Sequence, residues 1–110
     1  MENVYTNPEY FGLEVISSID DPEASYTFDM IVVWRRLEDR KLFWATDSGC
    51  SCPVPFEEYA VSDLSPLPET ARDLDAELRR TRIHYGEYGD TVSPFWDIND
   101  VLDLRNLAYV

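Results

Sequence analysis

Histidine occurs once in this chain, at His84, and cysteine twice, at Cys50 and Cys52. Two cysteines are too few for a disulfide framework, so a reducing cytoplasm is the simplest expected home. A single histidine leaves little for histidine-based acid–base chemistry. Glycine is equally sparse, at four residues. No glycine-rich phosphate loop can be drawn, and Ser48-Gly49 does not sit in the Gly-x-Ser-x-Gly turn that exposes a nucleophilic serine. Basic side chains are scarce too: 9 Lys and Arg stand against 22 Asp and Glu, a formal net charge of −13. Such a balance argues against direct binding of nucleic acid through phosphate contacts and against an anionic membrane surface. No window approaches the roughly 18 apolar residues of a membrane span, the longest strongly apolar run being Met30 to Trp34. Neither a basic region nor an apolar stretch follows Met1, so a secretion signal is not expected.

What the chain has is material for a core. Hydrophobic residues make up 45% and aromatic residues 14% of 110 positions, enough for one α+β domain spanning 1–110. Residues 1–9 are polar and read as a loose N-terminal arm. From Tyr10 to Ile19 apolar and polar residues alternate, with the pattern blurred at Ile16 and Ser17. Asp20-Asp21-Pro22-Glu23 is turn chemistry. Residues 26–36 carry the clearest strand pattern. Tyr26, Phe28, Met30, Val32 and Trp34 share one side, Ile31 and Val33 the other, so this strand is expected at the centre of a sheet with both faces covered. A second strand over Lys41–Thr46 follows a short hairpin link. A two-residue loop would set Arg36 against Lys41, a like-charge pair; a three-residue loop, which pairs Trp34 with Trp44, is preferred. Asp47 to Pro55 reads as a loop, and Phe56 to Tyr59 as one helical turn.

The best helix covers Glu69 to Arg82. Leu67, Ala71, Leu74 and Leu78 form its apolar stripe, and Thr70 with Asp73 resembles a capping box. Acids fill its first part and Arg79, Arg80 and Arg82 its end, which suits the helix dipole. A short C-terminal helix capped by Asp97 or Asn99 is expected through Leu107, with Val101, Leu104 and Ala108 inward. The expected fold is therefore a small antiparallel β-meander packed against one main helix, with a short C-terminal helix.

Three constellations are candidates for function. Cys50 and Cys52, one residue apart, can share a soft metal or exchange thiols, with His84 as a further ligand. Their spacing departs from the usual zinc knuckle, and a free cysteine commonly packs as a small hydrophobe, so no metal or cofactor is expected. The dense acidic turn Asp20, Asp21 and Glu23 has no basic residue before Arg35 to neutralise it and is a candidate contact for a basic partner. Tyr85 and Tyr88, set among Gly86 and Gly89, are candidate interface aromatics, whereas Phe95 and Trp96 are expected in the core.

The segment Val33-Trp-Arg-Arg, followed by Leu42-Phe-Trp-Ala-Thr-Asp-Ser-Gly-Cys-Ser-Cys-Pro-Val-Pro-Phe-Glu57, resembles a family of small uncharacterised proteins encoded by actinobacteriophages, including mycobacteriophages, and by related bacteria. The resemblance implies a phage gene product made in a bacterial cytoplasm and carries over no catalytic residue. Together with the small size, the acidity and the lack of a readable active site, it leads to the expectation of a non-enzymatic accessory protein. Such a protein would bind a host protein with a basic surface, as an inhibitor or a nucleic-acid mimic. Arg79, Arg80 and Arg82 count against mimicry by interrupting a negative track. The alternatives are a Cys-x-Cys metal or redox module and a virion structural or assembly component.

Overall fold

A computed structural model of the chain describes residues 3–20, 27–50, 55–84 and 96–108. The fold is α+β. Four strands, β1 (Leu13–Asp20), β2 (Thr27–Arg36), β3 (Leu42–Cys50) and β4 (Ser65–Pro66), form one antiparallel sheet in the order β1-β2-β3-β4. Two helices follow, α1 (Ala71–His84) and α2 (Ile98–Ala108).

The alternation in β2 divides the interior into two clusters, because successive side chains of a strand point to opposite faces. Ile31 and Val33 join Trp44, Leu74, Leu78, Trp96, Val101 and Leu104 beneath the two helices. Met30, Val32 and Trp34 join Val4, Leu13, Ala45, Phe56 and Leu64 on the reverse face. Both sides of β2 are thus covered. The helix stripe behaves as its spacing predicts: Leu74 and Leu78 are fully buried, with Leu67 and Ala71 packed beside them. Thr70 Oγ1 accepts the Asp73 amide at 3.1 Å, the first half of the expected box. At α2, Asp97 Oδ1 accepts the amides of Asn99 and Asp100, and the Asp97 amide donates back to Asp100 Oδ2. Asp97, not Asn99, is therefore the cap. Asp75 ties the helices together: its Oδ1 accepts Trp96 Nε1 at 3.0 Å and its Oδ2 accepts Arg79 Nε at 2.8 Å.

Of residues 1–9, expected as a loose arm, Val4 belongs to the second cluster and Tyr5 packs against it. Asn3 Oδ1 accepts the amides of Tyr5 and Thr6, closing a turn that buries Val4 completely. The Val4 carbonyl then accepts the buried Trp34 indole N–H at 2.8 Å. A buried indole needs an acceptor, and strand periodicity alone does not reveal where one lies. Pro8–Phe11 makes a single 3-10 turn that ends at Gly12, whose φ of +70° is the left-handed conformation glycine tolerates best.

Three strand details also differ from the sequence reading. The blurred alternation at Ile16 and Ser17 is an irregularity in the β1–β2 register between Val15 and Ser17, a bulge that no simple period can express. β3 runs on to Cys50, so Asp47, Ser48 and Gly49 lie in a strand opposite Met30, Asp29 and Phe28 rather than in a loop. The hairpin pairs Trp34 with Phe43 and Val33 with Trp44, which sends the two tryptophans to opposite faces. Its link is four residues, with Arg40 at φ +62°. Arg36 and Lys41 do stand opposite each other, joined by Arg36 N donating to Lys41 O. Asp39 removes the penalty that the like-charge argument assumed. Its carboxylate accepts Arg36 Nε at 2.9 Å and lies 4.0 Å from Lys41 Nζ.

That arrangement carries a pH signature. The hydrogen bond from Arg36, reinforced by the Lys41 amide and both positive charges, holds the Asp39 carboxyl far below the usual carboxylate range. The folded state thus binds this proton less readily than the unfolded chain. The resulting stability is present above the unfolded value of about 4 and is lost as pH falls toward the lower folded value. Asp39→Asn is expected to lower the denaturation midpoint at pH 7, and the gap from the parent is expected to narrow below about pH 4. For the core, Leu74→Ala and Leu78→Ala should each cost about 2–5 kcal/mol in urea denaturation.

Candidate functional site

Within the most distinctive stretch of the sequence, Trp44 to Tyr59, Asp47 and Phe56 build an anchor for the second cluster. Asp47 sits on β3 opposite Met30, on the face that carries this cluster. Its Oδ2 accepts the Phe56 amide at 2.7 Å, and its Oδ1 accepts the Ser48 amide at 2.9 Å. Phe56 has φ +61°, an uncommon conformation for a bulky residue, and its side chain is fully buried. The ring packs edge-on against Trp34 at 5.1 Å and Tyr59 at 4.9 Å, with Tyr5 tilted at 5.7 Å. The Tyr59 hydroxyl donates to the Thr46 carbonyl. Asp47 thus trades one carboxylate for a backbone turn that points a phenyl ring into the sheet. The Tyr5 hydroxyl has its pKa raised, first by burial and then by the negative charge of Asp20 nearby.

Cys50 ends β3, opposite Thr27. Cys52 lies outside the described residues. His84 is the last residue of α1. Among the described residues no group of three or more His, Cys, Asp or Glu is placed to hold a metal ion. Of the partner candidates, Asp20 is described and exposed, while Asp21, Glu23, Tyr85 and Tyr88 lie outside the described residues, as does Phe95. Trp96 is buried in the helix-side cluster.

Asp20 does not stand alone. At the end of β1 it shares a cleft of about 330 Å³ with Ser17, Ser18 and Ile19 of the same strand and with Asp100, Asp103 and Leu104 of α2. Among the described residues, three carboxylates and no cation line this cleft. Within it, Ser17 Oγ donates to the Leu104 carbonyl at 3.4 Å. Asp100 and Asp103 are a site that the sequence reading missed. Their one signal was a spacing of three on an otherwise amphipathic helix, and that spacing does not tell which strand the helix crosses.

Much of the basic charge elsewhere is locally spent. Arg35 pairs with Glu14 at 3.0 Å, Arg36 and Lys41 share Asp39, Arg79 pairs with Asp75, and Arg80 pairs with Glu77. The carboxylates of the cleft take part in none of these pairs. Among the described residues no helix is long and apolar enough to cross a membrane.

The anchor is open to a direct test. Asp47→Ala leaves the Phe56 amide without its acceptor and is expected to cost about 1–3 kcal/mol. Asp47→Asn, which keeps an acceptor, should recover most of that loss. Phe56→Ala should cost about 3–5 kcal/mol. Equilibrium denaturation of the three variants reads all of these effects, and an unchanged midpoint for Asp47→Ala would show that the anchor is dispensable.

No curated protein and no solved structure matches the chain. One family model does, over residues 2–103. That span takes in all four strands, the second-face anchor, the three carboxylates of the cleft and α1, and the chain accordingly belongs to the domain family of unknown function DUF7574.

Proposed function

We propose that this protein is a non-catalytic acidic binding protein that captures a host protein through a basic surface, as an accessory product of an actinobacteriophage-type gene acting in the bacterial cytoplasm. The observation that carries this reading is the cleft between β1 and α2, which Asp20, Asp100 and Asp103 line with no cation among the described lining residues. A net charge of −13 supports it, since a strong field of one sign steers oppositely charged partners into encounter. The resemblance of the Trp44–Glu57 segment to phage-encoded proteins supports the setting. One basic surface within this class is that of a DNA-binding protein, with the carboxylates standing where phosphates would. Arg79 and Arg80 weigh less against such mimicry than their sequence position suggests, because each is tied to a carboxylate of its own helix.

The experiment is capture from host lysate followed by association kinetics across a salt series. The screening length falls from about 10 Å at 0.1 M to about 3 Å at 1 M, so a steered association slows steeply over that range. Asp20→Asn combined with Asp103→Asn is expected to slow association and flatten the salt dependence while leaving the thermal midpoint nearly unchanged. Asp100 is kept, because its carboxylate accepts the amide of the Asp97 cap at the start of α2. A wild-type rate that is indifferent to salt would overturn the reading.

A further inference from the structure

The cleft has a geometry that its charge alone does not convey. Ser17, Ser18, Ile19 and Asp20 are four successive residues of one strand, yet all of them line it. Successive strand residues point to opposite faces. The register makes the division explicit. Ser17 and Ile19 stand opposite Val33 and Ile31 and so belong to the helix face, whereas Ser18 and Asp20 stand opposite Val32 and Met30 and belong to the other. A cleft lined by both sets lies along the edge of the strand, where the backbone itself is presented. β1 is the terminal strand of the sheet, and among the described residues no strand pairs with its outer side.

Resting on the binding reading above, we infer that the outer edge of β1 from Ser17 to Asp20 receives an extended, lysine- or arginine-bearing segment of the partner, which adds to the sheet as a fifth strand with its basic side chains against Asp100 and Asp103. Strand addition of this kind draws affinity from main-chain hydrogen bonds and specificity from alternate side chains. Here α2 stands over one face of the added strand and supplies the two carboxylates. The other face would lie beside Ser18 and the exposed Val15, with Asp20 at its end. The incoming segment is therefore expected to alternate basic and small apolar residues.

Two features select this occupant. A second copy of the chain would set the same three carboxylates against themselves, at −13 per chain, so edge-to-edge self-pairing is opposed by charge. The irregularity between Val15 and Ser17 interrupts the ladder, so a regular pairing can begin only beyond it, at the residues that line the cleft.

The test uses the intact protein and a ten-residue peptide of alternating lysine and valine. Its control is the same peptide N-methylated at two adjacent central residues, which keeps the charge but blocks hydrogen bonding on both edges. Titration calorimetry should show the parent peptide binding at least about tenfold more tightly than the control. Hydrogen exchange should slow at outward-facing amides within Ser17–Asp20, and Asp20→Asn with Asp103→Asn should weaken the parent peptide. Equal affinities for the two peptides would overturn strand addition and leave charge-driven capture standing. Binding of neither peptide, or binding without protection in β1, would likewise overturn it, while the salt series with a lysate partner decides the broader reading separately.

Discussion

Ile31 to Trp34 are apolar on both sides of a single strand, and that is the constraint on which the rest of the molecule depends. A strand of this kind is stable only when each of its faces is removed from water. The chain supplies two covers of different construction. Behind Ile31 and Val33 stand α1 and α2, amphipathic helices with capped N-termini. Behind Val32 and Trp34 stand an N-terminal turn and the segment around Phe56, which have little regular structure of their own. Each depends on one specific polar contact: the Val4 carbonyl for the indole of Trp34, and Asp47 for the amide of Phe56.

The first cover was legible in the sequence and the second was not. Period and capping are local signals. Leu74, Leu78, Val101 and Leu104 announce an inward stripe by spacing alone, and Thr70 and Asp97 mark where each helix begins. The second cover is made by contacts far apart in the chain, between Val4 and Trp34 and between Asp47 and Phe56, and by a positive φ at a phenylalanine, which composition does not predict. Asp47-Ser48-Gly49 carries turn residues, and turn propensity gave way to pairing with the strong central strand. At the hairpin, a like-charge argument selected the wrong register because it left out Asp39, the one turn residue able to bridge both cations. The candidate site divides in the same way. Asp20 was visible as part of an acidic run, but its companions Asp100 and Asp103 come from the far end of the chain, brought there by the packing of α2 against β1.

The distribution of charge gains meaning from the pairing. Arg35, Arg36 and Lys41 of the hairpin and Arg79 and Arg80 of α1 are engaged with neighbouring carboxylates, so the surface is less a mixture than its sequence order suggests. Among the described residues, the acidic groups that line the cleft enter none of these pairs, and no strand pairs with the outer side of β1 beside them. Edge strands invite unwanted pairing, and carboxylates flanking this one would oppose pairing with a second copy, whose charges are of the same sign.

The unequal construction of the two covers sets how the protein opens. Local unfolding proceeds by the cheapest cooperative unit, and segments with few backbone hydrogen bonds lie at the low end of that scale. The helical face is braced by two regular ladders and by the Asp75 bridge between α1 and Trp96. The reverse face is held by turns. Breathing motions are therefore expected to lift the Phe56 side first, baring Trp34 and Val32 while the helices remain seated. The protein possesses a weak side and a strong side, and its exposure to proteases in a cell is governed by the free energy of that one lid.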